Sequence, residues 1–151
     1  MNKKPHSRRL RDGRHSEVGR IYHIRLVCWH RRPVFADFEK GRAVVRAMQQ
    51  VESVARTLAF VVMPDHVHWL MSLEKGAALG AVVQKLKSLT TRELHGRWEW
   101  QGPVWQSGFY DRAIRRDDDL LTIARYIVAN PLRAGLVRSI RDYSLWDAVW
   151  L

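Results

Sequence analysis

From Arg20 the chain alternates apolar and polar residues with a period of two, the repeat of an extended strand. Tyr22, Ile24, Leu26 and Cys28 fall on one face, and His23, Arg25, Val27 and Trp29 on the other. Arg31, Arg32 and Pro33 close it. Asp37 then opens a helix, because Phe38, Val44, Val45, Met48, Val51, Val54 and Leu58 recur at roughly helical spacing. Residues 59–73, AFVVMPDHVHWLMSL, are two apolar runs joined through Pro64-Asp65, which predicts two consecutive strands. A second helix follows Gly76, with Leu79, Val82, Val83, Leu86 and Leu89 on one stripe and Lys85, Lys87 and Arg92 elsewhere. Past a loop at 98–102, residues 104–115, VWQSGFYDRAIR, read as another strand. Strand, helix, strand, strand, helix, strand is the ferredoxin-like α+β pattern, an antiparallel sheet with helices on one face.

A further helix starts at Asp117, Asp118 and Asp119, whose carboxylates complement the dipole at a helix start. It ends at Asn130-Pro131, since the residue before a proline avoids the helical region. At about 100° per residue, Leu120, Leu121, Ala124, Ile127 and Val128 share one arc, the buried face. Tyr126 lies opposite that arc, and Asn130, four residues on, is its neighbour. A tyrosine used only for packing belongs inside the arc. The organisation expected is a basic, flexible arm over 1–19, a domain over 20–140, and a tail over 141–151 that folds back onto it.

Charge sharpens this picture. The net charge of +11 is uneven: residues 1–33 hold ten Lys/Arg against two acids, and the rest of the chain carries only +3. Positive charge gathered at one end suits a polyanion, nucleic acid before an acidic membrane surface. No apolar stretch approaches a membrane span, and the basic start is not followed by a signal-type apolar segment. Cys28, the single cysteine, has no partner for an internal disulfide, which suits a cytosolic protein, and no zinc-finger spacing is present. No GxxxxGK phosphate loop is present either, so no nucleotide cofactor is expected.

The chemistry concentrates in the central strands. Val67, Trp69, Met71 and Leu73 point one way; His66 and His68 point the other, with Leu70 and Ser72. Two imidazoles on one open strand face are two metal ligands wanting a third, though H-x-H alone is equally what a pair of surface histidines looks like. Tyr126 changes the balance. A phenol is a weak nucleophile, but it can attack a phosphodiester whose phosphoryl oxygens a metal ion polarises and aligns. His66, His68 and the amide oxygen of Asn130 could supply three ligands and leave positions open for phosphate.

VVMPDHVHWLM, followed further on by GFYDRAIR and ARYIVANPLRAGLV, resembles the REP-associated tyrosine transposases, single-tyrosine members of the HUH (His-hydrophobe-His) nuclease superfamily. The resemblance covers roughly residues 20–140. It implies that His66 and His68 bind metal, that Tyr126 is the nucleophile of a Y-x-x-x-N-P motif, and that Asn130 adds its amide. It implies a Mg²⁺- or Mn²⁺-dependent enzyme that cleaves and rejoins single-stranded DNA through a 5′-phosphotyrosine, leaving a free 3′-hydroxyl. The implied substrates are hairpin-forming repetitive extragenic palindromes, and the implied setting is the bacterial cytoplasm and nucleoid, as monomer or homodimer. Imidazole ligands favour Mn²⁺ over the oxygen-seeking Mg²⁺. Candidate DNA contacts are Arg8, Arg9, Arg11 and Arg14 in the arm, Arg25, Lys85 and Lys87, and Arg112, Arg115, Arg116 and Arg133. His23 and His30 are read as non-ligands. Two rivals stay open: a metal-dependent phosphodiesterase that activates water and makes Tyr126 dispensable, and a non-catalytic nucleic-acid-binding module.

Overall fold

A computed structural model describes residues 20–149. Five strands form one antiparallel sheet: β1 (Arg20–Val27), β2 (Ala55–Val62), β3 (His66–Leu73), β4 (Tyr110–Ile114) and β5 (Trp146–Ala148), in the order β4-β1-β3-β2-β5. The three pairings β4-β1, β1-β3 and β3-β2 are those of the ferredoxin-like fold, with β5 added at the β2 edge.

Two helices, α1 (Phe38–Gln50) and α2 (Leu79–Trp98), cover one face. Val44, Ala47 and Met48 from α1 and Val82, Val83, Leu86 and Leu94 from α2 meet Tyr22, Ile24, Leu26, Trp69 and Met71 of the sheet. These sheet residues are one alternating set of β1 and β3, so the period-two pattern decides which face is buried. Asp37 caps α1, its Oδ1 accepting from the Glu39 and Lys40 amides at 2.9 and 3.2 Å.

The helix α3 (Asp117–Val128) crosses the opposite face. Ala124, Ile127 and Val128 pack on Leu58, Ala59, Val61, Met63 and Leu70, so it covers the β2–β3 half of that face. A one-turn helix, α4 (Asn130–Arg133), follows with Pro131 in its first turn, where the missing amide costs nothing. The chain then returns: Tyr143 Oη donates to the Val62 carbonyl at 2.6 Å, and β5 pairs with β2.

Three sequence expectations shift. The first helix stops at Gln50 and β2 begins at Ala55, four residues before Ala59, so Val54 is exposed and Leu58 belongs to a strand. Leu58 sits at a register irregularity between Thr57 and Ala59 and packs with Ala59 in the second apolar core. The strand drawn over 104–115 shrinks to Tyr110–Ile114, because Gly102 and Gly108 take positive φ and hold 102–108 as a loop. Within that loop Trp105 makes one bridge to Cys28. Lys87, expected on a solvated face, is buried; its ammonium donates to the Gln106 and Gly108 carbonyls at 3.0 and 2.5 Å and ties the loop to α2. No helix among the described residues is long and apolar enough to cross a membrane.

Candidate active site

Because α3 covers only half of its sheet face, the β4–β1–β3 half beside it stays open. A pocket of about 480 Å³ forms along this boundary, lined by His23, Arg25, His66, His68, Tyr110, Asp111, Arg112, Ile123, Tyr126 and Asn130. The strands supply the basic and imidazole side and α3 the tyrosine.

Strand register explains how distant residues meet. Arg25 stands opposite His68, and Val27 opposite His66. His23, opposite Leu70, is thus the diagonal neighbour of His68, and its Nε2 stands 2.9 Å from His68 Nδ1. The His66 and His68 ring centroids are 5.0 Å apart, and that of Tyr126 is 6.0 Å from His68. Tyr126 remains 48% exposed, with the Arg133 guanidinium 3.9 Å from its ring centroid. Arg25 lies 4.4 Å from the Tyr110 ring centroid in the same manner.

Each imidazole has one nitrogen engaged. His66 Nδ1 bonds to Asp65 Oδ1 at 2.8 Å, while Asp65 Oδ2 accepts from Arg31 Nε at 3.2 Å. That fixes the His66 tautomer with Nδ1 protonated and leaves Nε2 as a lone-pair donor. Burial alone would raise the Asp65 carboxyl, but the His66 hydrogen bond, the His66 charge and Arg31 outweigh it and hold the group below its ordinary value. Burial pushes His66 down, against the opposing pull of Asp65.

His68 is 5% exposed, and burial first, then His23, His66, Arg25 and Arg133, push it down to about 2. His23 falls to about 4 through burial, Arg112 and Arg25. The cluster is therefore neutral at neutral pH, the state in which imidazole binds a metal. Cys28 is pushed up to about 12, chiefly by burial and then by the Asp65 charge, so it offers no thiolate nucleophile.

No three His, Cys, Asp or Glu side chains converge on a metal position among the described residues. The three ligands expected from the sequence, His66, His68 and Asn130, all line the pocket. The Asn130 amide nitrogen faces back to the Tyr126 and Ile127 carbonyls at 3.4 and 3.3 Å, leaving Oδ1 as the atom it can turn to a ligand.

The other sequence candidates divide by location. Arg25 and Arg112 line the pocket and Arg133 covers Tyr126. Arg115 and Arg116 are exposed in the segment leading into α3. Lys85 is exposed on α2, on the far side of the sheet, and Lys87 is the buried strut described above. Arg8, Arg9, Arg11 and Arg14 lie outside the described residues. His23, read as a bystander from the sequence, sits against His68. Its only local signal was the strand face shared with Arg25.

The fold and pocket define a class: a ferredoxin-like sheet bearing a histidine pair, with one tyrosine delivered by a helix on the same face. The model of the family "Transposase IS200 like" matches residues 18–130, and the chain belongs to that family. A Haemophilus influenzae protein named for the REP-associated tyrosine transposases is 32% identical over an alignment of 97 residues that covers 58% of this chain and 55% of that protein. The REP-associated tyrosine transposase of Escherichia coli K12 is 28% identical over 86 residues, 56% of this chain and 49% of the relative. The chain thus matches about half the length of these relatives. In structure it resembles a REP-associated tyrosine transposase bound to a REP hairpin, with a TM-score of 0.74 at 21% identity, over 88% of this chain and 79% of the other. That likeness speaks for the fold.

Proposed function

We propose that this protein cleaves and rejoins single-stranded DNA beside REP-like hairpins, with Tyr126 as nucleophile. The observation that carries this reading is one pocket in which the Tyr126 ring faces the His66–His68 pair, 6.0 Å from His68. Names of the matched relatives point to the same substrate.

The donors fit a divalent ion: two neutral imidazoles, His66 with a fixed tautomer, and the Asn130 amide oxygen. Bound there, Mg²⁺ or Mn²⁺ would polarise the scissile phosphate and offset charge on its oxygens. The chain's own side chains do the rest. Arg25 and Arg112 draw the phosphate backbone into the pocket. Arg133 stacks on the Tyr126 ring and limits its motion, so Oη approaches from the α3 side. Oη releases its proton to solvent as it attacks phosphorus, the bond to the 3′-oxygen breaks with its electron pair, and the leaving oxygen takes up a proton from solvent. The products are a 5′-phosphotyrosine on Tyr126 and a free 3′-hydroxyl, and attack by another 3′-hydroxyl reseals the strand. His23 accepts from His68 Nδ1–H, which turns the Nε2 lone pair of His68 outward. The protein works where the DNA is, in the bacterial cytoplasm and nucleoid, as monomer or homodimer.

The test is a labelled single strand carrying a REP-like hairpin, incubated with Mn²⁺ or Mg²⁺ beside an unstructured strand of equal length. The reading expects metal-dependent cleavage of the hairpin substrate, lost in Tyr126→Phe and His68→Ala. Equal cleavage of both strands would remove hairpin recognition from the proposal. Full cleavage by Tyr126→Phe would transfer the nucleophile's role to water.

A further inference from the structure

Trp29 is the exposed tryptophan among the described residues. Trp69 and Trp105 are buried, and Trp98, Trp100 and Trp146 pack against the two apolar cores. Trp29 belongs to neither core. Its ring stacks instead on His30, with centroids 4.4 Å apart and planes 12° from parallel. The stack is presented by a strained turn: His30 (φ 53°, ψ 27°) and Arg31 (φ 52°) are consecutive non-glycine residues in the left-handed region. Such outliers persist only where surrounding structure over-determines them, and they gather at functional sites.

The bracing is specific. The Trp29 amide donates to Val104 O at 2.9 Å and the Arg31 amide to Cys28 O at 2.8 Å. Arg31 Nε holds Asp65, and Asp65 holds His66. The turn is thus fixed to the histidine pair through two side-chain hydrogen bonds. Trp29 follows Val27 by two residues, and Val27 stands opposite His66. β1 ends at Val27, so Trp29 opens the turn that follows directly from the strand end beside His66.

We propose that the Trp29–His30 stack is a seat for a nucleobase of the single strand, flanking the scissile phosphate on the His66 side. This rests on the reading of the pocket as a single-stranded DNA site and adds where the strand leaves it. An exposed, pre-stacked aromatic pair fits this occupant because every base offers a π-face, and single-stranded DNA binds through such platforms. The bracing through Arg31 and Asp65 sets the distance between the stacked base and the phosphate, so the seat helps choose which phosphate is cut.

The test uses the Tyr126→Phe protein, which holds substrate without turnover, and hairpin oligonucleotides with 2-aminopurine moved one position at a time through the unpaired flank. The proposal expects a fluorescence change confined to one register beside the scissile phosphate. Trp29→Ala removes it and weakens binding roughly ten- to hundredfold, Trp29→Phe keeps it, and the salt dependence of binding is unchanged because phosphate contacts remain. Unchanged affinity and an unchanged profile in Trp29→Ala would overturn the seat while leaving the single-strand reading intact. Failure of the parent protein to bind any oligonucleotide would overturn both. A Trp29→Ala effect on self-association alone, seen by sedimentation without any change in DNA binding, would assign the stack to a second copy of the chain and overturn the seat.

Discussion

Acid should destabilise the metal-free protein earlier than its carboxylates alone would require, and His68 is the main reason. His68 is 5% exposed and is held down to about 2, whereas an unfolded histidine titrates near 6.5. Above pH 6.5 the imidazole is neutral in both states and contributes nothing. Below it, only the unfolded chain takes up the proton, so stability falls as pH drops from 6.5 toward 2. Between pH 7 and pH 5 this single group removes about 2 kcal/mol. His23, held to about 4, acts in the same direction over pH 6.5 to 4. Asp65 and Glu93, whose carboxyls are lowered, lose their contribution only as pH falls below the ordinary carboxylate range, outside this window. Urea titrations of chelator-treated protein at pH 7 and pH 5 measure the loss, and His68→Leu, which sits beside Leu70, removes the titrating group. The difference between the two pH values should shrink by about 2 kcal/mol in His68→Leu, while His23, lowered by burial, Arg112 and Arg25, keeps its own contribution. An identical loss in both proteins would refute the buried-neutral account of His68.

Other outcomes follow from the same geometry. His23→Leu should weaken Mn²⁺ binding measured by calorimetry roughly ten- to hundredfold by freeing the His68 tautomer, while His23→Gln, whose amide oxygen still accepts, should stay near the parent value. Mn²⁺ should support cleavage at least as well as Mg²⁺ in a titration of each ion, given two imidazole donors. Lys87→Met should lower stability in urea by about 1–3 kcal/mol, because the Gln106 and Gly108 carbonyls lose their donor, with little change in the far-side pocket.

The histidine pair and Tyr126 were legible because each depends on a local period. Two residues per strand repeat put His66 and His68 on one face, and 100° per residue set Tyr126 opposite the buried arc of α3. His23 was not legible as part of the site, because its place depends on the offset between β1 and β3, which are paired across 45 residues. The burial of Lys87 was hidden for a similar reason: its acceptors are carbonyls of a loop some twenty residues away. Local signals also misled where two periods overlap. Val54 and Leu58 extend the helical spacing of α1 although the chain has already turned into β2. The three residues of β5 carry too short a pattern to announce a strand; only the partner edge of β2 makes them one.

The central claim is that Tyr126 itself bonds to DNA. Intact-mass spectrometry after incubation with a REP-like hairpin strand and Mn²⁺ tests it most directly, with peptide mapping of the modified species. The account predicts a protein heavier by the 5′-phosphorylated downstream fragment, with the added mass on the peptide containing Tyr126 and no adduct in Tyr126→Phe. Cleaved DNA with the protein left at its original mass would contradict it.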